Sequence, residues 1–226
     1  MTESLNLAEV FSLISVVVTS MVYIFAAACS YFLERQSRRP PMFALLFLLF
    51  AWCLLNLGSA ISGLGKFYPI LLVGAPFLSG YIGPALYIYT RQLTVPHNKV
   101  SLKWLFFGMF GSIHSCLALI IPEGLDCVVQ SVLYKEPYIH PILSPIMMVH
   151  GFQLIAFSIF STFLITRSYI RKSNPDLRRT QFWLMTICWT SLVTMVFTTI
   201  LPTFKIIITD IQPALITLPI AIVGGL

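Results

Sequence analysis

Hydrophobic residues along this chain form seven long segments separated by short polar stretches. A segment such as 42–52 is apolar on every face, without the alternation of apolar and polar positions that a membrane β-strand requires. A helix needs about 20 apolar residues to cross a bilayer. The pattern therefore predicts an all-α integral membrane protein built as a seven-transmembrane-helix bundle. The predicted spans are 8–33, 42–63, 66–90, 103–122, 141–169, 182–202 and 211–226.

The two ends of the chain bear on its domain organisation. Glu3 and Glu9 stand where a signal peptide would carry basic residues, and the first apolar run is too long for such a peptide. The last predicted span is short for a membrane helix and ends on Gly224, Gly225 and Leu226 without a polar flank. We expect 1–226 to be a single seven-helix membrane domain, truncated before a cytoplasmic output domain.

Basic residues collect in every second loop, after spans one, three and five. These loops hold 11 of the 14 Lys and Arg residues, whereas the loops on the other side hold most of the acidic residues. Cytoplasmic loops of membrane proteins retain positive charge, so we expect the N-terminus outside and the C-terminus in the cytoplasm. The basic residues are Arg35, Arg38, Arg39, Arg91, Lys99, Lys103, Arg167, Arg171, Lys172, Arg178 and Arg179.

Composition supports the membrane assignment and argues against nucleic-acid binding by these residues. Hydrophobic residues make up 58% of the chain and charged residues only 10%, too few to cover a surface that faces water. The net charge of +6 lies in short loops beside the predicted spans, where anionic lipid head groups are the simplest partners. The lipid bilayer is therefore the first predicted partner.

Motifs for catalysis, metals and cofactors are missing from the sequence. It has no HExxH, no GxSxG and no glycine-rich phosphate loop, and its five cysteines form no CxxC pair. We expect no enzyme, no cofactor and no metal site. Carboxylates are absent from the middle of every predicted span, which argues against an ion-coupled transporter.

Four polar residues inside the predicted spans are candidates for ligand binding: His114, His150, Asn56 and Gln153. Polar side chains at membrane depth mark functional sites in many membrane proteins. The two histidines form either a proton-sensitive pair or part of a pocket that opens to the outside. Alternatively, all four side chains bond one helix to the next.

Prolines are the strongest irregularity in the predicted spans. Pro76 and Pro84 are expected to interrupt span three, because each removes a backbone donor and kinks its helix. A kink in a bundle supplies either a hinge between two states or a fixed feature of the packing.

Span three ends in a segment that carries a family resemblance. Residues 83–93 read Gly-Pro-Ala-Leu-Tyr-Ile-Tyr-Thr-Arg-Gln-Leu, with Pro84, Tyr87, Tyr89 and Arg91 at fixed spacing. This segment resembles the close of the third helix in the N-terminal seven-helix membrane domains of bacterial AraC-type transcription regulators. The resemblance implies a homodimer in the bacterial inner membrane that reaches DNA only through a C-terminal helix-turn-helix domain, which this chain lacks.

The sequence thus favours a membrane-embedded sensory or signal-transducing domain, with a small or lipid-like ligand and with Pro76, Pro84, Tyr87, Tyr89 and Arg91 as hinge or signalling residues. Two alternatives remain at this point. One is a small-molecule transporter or permease, which would place its substrate near the polar residues within the spans. The other is the input domain of a histidine kinase or cyclase.

Overall fold

The computed structural model describes residues 7–36, 41–94, 101–134 and 139–171, together with 181–189 except 183 and 187. Within these ranges the regular structure is helical throughout and contains no strand. The α-helices are α1 (Leu7–Gln36), α2 (Met42–Ile61), α3 (Leu64–Phe67), α4 (Ile70–Ser79), α5 (Ile82–Thr94), α6 (Met109–Ile120), α7 (Gly124–Tyr134) and α8 (Leu143–Ile170), and a 3-10 helix at Leu102–Gly108 precedes α6.

Five helical stretches are long and apolar enough to cross a membrane, so the chain is a multi-pass membrane protein. They correspond to the first five predicted spans. The seventh predicted span and the end of the sixth lie outside the described residues, and the count of seven stays a prediction. The five stretches are Leu13–Gln36, Met42–Ile61, Ile70–Thr94, Leu102–Ile120 and Leu143–Ile170.

The first two spans form an N-terminal hairpin with its own small core. Val16 and Tyr23 of α1 pack against Ala51 and Leu54 of α2, and all four are buried. At the turn, the Glu34 carboxylate accepts hydrogen bonds from the first backbone N–H groups of α2, at distances of 3.0 and 3.1 Å. An anion at a helix N-terminus satisfies donors that have no partner within the helix.

The third span is interrupted before Pro84, as predicted, but not at Pro76. Pro76 lies inside α4 without ending it; the helix ends three residues later at Ser79, and α5 begins at Ile82. Gly80 keeps right-handed helical torsions, so α4 and α5 continue as one kinked span. This span runs from residue 70 to residue 94, four residues later than the predicted 66–90.

One segment that the sequence presents as an outer loop contains a helix. Residues 123–140 lie between two predicted spans, and α7 occupies Gly124–Tyr134 within them. Its Val128 packs with Leu72 and Ala118 in a buried cluster that joins α4, α6 and α7. The helix was missed because it has 11 residues, too few to cross a bilayer, and Asp126 lies in its first turn.

The largest core cluster lies where α2, α5 and α8 meet. Buried leucine, isoleucine and alanine side chains from these helices surround Leu86, which is fully buried. Described residues between 181 and 189 join this cluster through Leu184 and Cys188. The beginning of the sixth predicted span is therefore helical and packs against the rest of the bundle.

Candidate functional site

At the break in span three, a side chain from another helix bonds to the backbone. Pro84 has no N–H, so in a continuous helix the carbonyl of Gly80 four residues earlier would have no backbone donor. The Gln153 side chain of α8 fills that role, with its Nε2 donating to the Gly80 oxygen at 3.0 Å. Gln153 is buried, and the bond ties α8 to the junction of α4 and α5.

His150 lies one helical turn before Gln153 and contacts the same break. Its Nε2 is 3.2 Å from the hydroxyl of Ser79, the last residue of α4. The imidazole is 3% exposed, and its Nδ1 has no partner among the described residues. His150 and Gln153 therefore act on two adjacent residues of span three, Ser79 and Gly80.

His114 of α6 belongs to the same neighbourhood. It is 2% exposed and lies one turn after Gly111, whose backbone faces the His150 ring. The described residues contain no group of three His, Cys, Asp or Glu side chains that would hold a metal ion. Three of the four predicted ligand-binding residues thus lie near the break in span three.

Further hydrogen bonds to the α4 backbone come from side chains that the sequence analysis did not single out. Trp52 Nε1 of α2 donates to the Gly74 carbonyl at 2.6 Å. Ser115 and Ser112 of α6 donate to the carbonyls of Val73 and Phe77, at 2.8 and 2.9 Å. With the bond from Gln153 to Gly80, three neighbouring helices bond the backbone of span three. The sequence did contain a sign of the Trp52 contact, because this tryptophan lies in the middle of a predicted span and not at its end.

Glycines let the neighbouring helices approach span three closely. A Cβ on Gly80 would collide with the carbonyl of Gly108, and one on Gly111 would collide with the carbonyl of Pro76. Small residues at such crossings allow membrane helices to pack backbone to backbone. The Cβ of a residue at 111 would also lie 3.2 Å from the His150 ring, so this glycine leaves room for the histidine.

The fourth predicted ligand-binding residue, Asn56, lies in a different place. It lines a cavity of about 730 Å³ between α1, α2, α4 and α6, whose walls are almost entirely apolar. Asn56 is 8% exposed, and its Nδ2 donates to the Trp52 carbonyl at 2.9 Å. Its Oδ1 lies against Gly74, where an added Cβ would be only 2.9 Å away. Sequence reasoning did not separate Asn56 from the other three candidates.

Tyr87, Tyr89 and Arg91 make packing contacts along α5. Tyr89 stacks on Phe43 at the start of α2, with ring centroids 4.8 Å apart. The Tyr87 ring meets Trp104 edge to face at 5.3 Å, and its hydroxyl accepts a hydrogen bond from Arg91 at 3.3 Å. Tyr87 and Trp104 also help line a second cavity of about 610 Å³, together with Gln153 and several phenylalanines.

Comparison of the chain with models of protein families, with curated proteins and with solved structures found no match.

Proposed function

We propose that this chain is a membrane-embedded sensory or signal-transducing domain without catalytic activity, in which span three is the moving element. The observation that carries the proposal is the break at Gly80–Tyr81, where Gln153 supplies the hydrogen bond that Pro84 removes from the helix. The alternative state is one in which the bond from Gln153 is broken and the Gly80 carbonyl is released from α8.

The energies of these contacts suit a switch. A hydrogen bond between membrane helices contributes about 0.6–2 kcal/mol, and about 1 kcal/mol changes a two-state equilibrium roughly fivefold. The bonds from Trp52, Ser115 and Gln153 hold span three at three points along its length. A stimulus that favours another position of α4 would compete with these bonds and with the packing of Leu72 and Val73 in the core.

The basic helix ends support a cytoplasmic output side. Arg35, Arg91 and Arg167 lie in the last turns of α1, α5 and α8. The stacking of Tyr89 on Phe43 places the end of α5 beside the start of α2, and hence near the end of α1. We propose the seven-helix count and an outside N-terminus on the positive-inside rule. We propose the bacterial inner membrane and a homodimer on the resemblance to AraC-type regulators, in which a cytoplasmic DNA-binding or kinase or cyclase domain would follow.

The test is a chimaera in which the full chain precedes a cytoplasmic DNA-binding domain that drives a reporter gene only as a dimer. Pro84→Ala restores a backbone donor for Gly80, and Gln153→Ala removes the competing one. Both changes weaken the kinked state, so reporter output should shift in the same direction, by about fivefold for 1 kcal/mol.

Pro145→Ala is the matched control, since Pro145 is also the third residue of its helix but is exposed. Its output should equal that of the unmodified chimaera. Unchanged output for both Pro84→Ala and Gln153→Ala, at normal membrane levels, would remove the case for span three as a signalling hinge.

A transporter or permease is the second candidate, favoured by one specific observation. Discontinuous helices at membrane depth form substrate sites in many transporters, and here His150 and Gln153 meet such a break. Uptake of a polar solute into liposomes that contain only this protein, abolished by His150→Phe, would support transport over signalling.

A further inference from the structure

The cavity beside Asn56 has the size and chemistry of a ligand site. Its volume of about 730 Å³ falls in the range of 300–1,000 Å³ that small-molecule pockets occupy. Helices α1, α2, α4 and α6 all contribute to its walls, so it is a space within the bundle and not a groove along one helix. Gly58 and Gly74 contribute no side chain to it, which keeps it wide.

The hydrogen-bond donors in the cavity wall already donate to backbone carbonyls of the protein. The Trp52 indole N–H donates to Gly74, and the hydroxyls of Ser59 and Ser115 donate to backbone carbonyls at 2.7 and 2.8 Å. The side-chain amide of Asn56 donates a hydrogen bond to the Trp52 carbonyl. A molecule bound in the cavity therefore finds these donors occupied.

The Asn56 carboxamide oxygen is the exception, because it is an acceptor without a donor among the described residues. Asn56 is more than nine-tenths buried, and its oxygen lies against Gly74, a residue of the same cavity wall. A bound molecule with one hydroxyl group would supply a donor to this oxygen.

The cavity is not enclosed, since Leu55, Ile70 and Phe77 line it and are each 40% or more exposed. These residues belong to membrane-spanning stretches, where the surrounding medium is hydrocarbon. A molecule that reaches the cavity from this side must first dissolve in the bilayer, so its body has to be apolar.

We infer that this cavity binds an apolar molecule that carries a single hydroxyl group, with the hydroxyl donating to Asn56 Oδ1 and the apolar body between α1 and α4. The binding stands independently of signalling. Its effect on output rests on the proposed function, because α4 is the half of span three that precedes the break at Gly80.

The experiment uses Trp52 as a fluorescent reporter in the cavity wall. The full chain, with Trp104, Trp183 and Trp189 replaced by Phe, is placed in phosphatidylcholine vesicles. Two quenchers with a heavy bromine atom are compared at equal concentrations in the membrane: 11-bromoundecan-1-ol and its methyl ether, which has the same body but no hydroxyl donor. The alcohol should quench Trp52 saturably, with half-saturation about tenfold lower than for the ether, the equivalent of one good hydrogen bond.

Variants distinguish the effect of the hydrogen bond from the effect of the cavity's volume. Asn56→Leu keeps the branched shape of the side chain and removes the acceptor, so the two quenchers should become equivalent. Gly74→Ala places a methyl group against both Asn56 Oδ1 and Trp52, which should abolish saturable quenching. Gly151→Ala is the matched control, since a Cβ there meets no atom within 4 Å, and it should leave quenching unchanged.

Two results would overturn the inference. Equal saturable quenching by alcohol and ether in the unmodified cavity would mean a site for acyl chains alone. Quenching by neither would mean that the cavity is closed or filled by other parts of the chain. If the alcohol binds specifically but the reporter output of the chimaera does not change, the binding site stands and the signalling proposal is contradicted. If the reporter responds to Pro84→Ala but the alcohol does not bind in the cavity, the signalling proposal stands and the binding site does not.

Discussion

At the residue scale, glycines decide how closely the helices approach span three. Gly111 of α6 lies against the carbonyl of Pro76, and a backbone oxygen cannot rotate away as a side chain does. Gly151 of α8 is in a membrane helix as well, but the space beside it is open. The two glycines have the same sequence context, an apolar helix, and opposite structural constraints.

Replacing Gly111 by Ala should therefore destabilise the protein by about 1–3 kcal/mol, the usual cost of forcing an extra methyl group into a packed interface. Gly151→Ala should have no destabilising effect and should gain slightly from the better helix propensity of alanine. Thermal unfolding of the purified variants in detergent, followed by circular dichroism, measures both. Equal melting temperatures would mean that α6 does not pack against Pro76 as described.

At the element scale, one carboxylate joins the end of α1 to the start of α2. Glu34 accepts from the N–H groups of Phe43 and Ala44, and it thereby joins the last turn of α1 to the first turn of α2. The helix start carries no other acidic residue in its first turn and no side-chain cap of its own. This carboxylate is therefore a polar link between the two helices of the hairpin.

Glu34→Ala should lower the free energy of unfolding by about 1 kcal/mol, the typical effect of losing a helix cap. Glu34→Gln keeps an acceptor oxygen without the charge and should lose less. Glu123→Gln is the control, since Glu123 is exposed in the turn before α7. Unfolding by SDS titration in mixed micelles gives the three values, and equal stability of Glu34→Ala and the unmodified protein would contradict the capping role.

The elements that could be predicted from the sequence are those whose signal is the length of an apolar run. The first five spans were confirmed on this basis, and span three was shifted by only four residues. Helix α7 escaped prediction because its apolar residues cover one face of a short helix, which resembles a loop of mixed composition. The break in span three lies where the missing N–H of Pro84 predicts it, but the bond from Gln153 of another helix to Gly80 is not contained in any local pattern.

Side-chain partners were less accessible to sequence reasoning than the spans. His114, His150, Asn56 and Gln153 stood out because polar groups in apolar segments are rare. Which of them meet depends on how each helix is rotated about its axis, and α8 shows almost no amphipathic pattern from which to read its rotation. Sequence therefore identified the four residues but not the separation of Asn56 from the rest.

At the scale of the whole molecule, orientation in the membrane is the property with the sharpest test. Native Cys127 lies on α7, on the side proposed to face outside, and Lys99 lies in a loop proposed to face the cytoplasm. In a chain with the other four cysteines replaced by Ala, an impermeant maleimide should label Cys127 in intact cells. With Cys127 also replaced, Lys99→Cys should be labelled only after the cells are opened. The reverse pattern would invert the proposed topology.

Labelling of Cys127 should also depend on pH in a particular direction. Burial raises the pKa of its thiol above the ordinary value, and maleimides react with the thiolate. At neutral pH the thiolate fraction is therefore smaller than for a fully exposed cysteine, and the labelling rate should rise about tenfold per pH unit below the pKa. A rate that levels off at about pH 8.5, as it does for an ordinary exposed cysteine, would show that the thiol is not shielded on α7.

The self-contained packing of α1 on α2 also bears on biosynthesis. Membrane proteins are made from the N-terminus, and the contacts of this hairpin, from Val16 to the Glu34 cap, involve only residues up to 61. The pair can therefore settle in the bilayer as a unit while the rest of the chain is still on the ribosome. Span three then enters the membrane beside a hairpin in which Trp52 and Asn56 are already in place. The cavity is therefore completed when α4 and α6 pack against the hairpin.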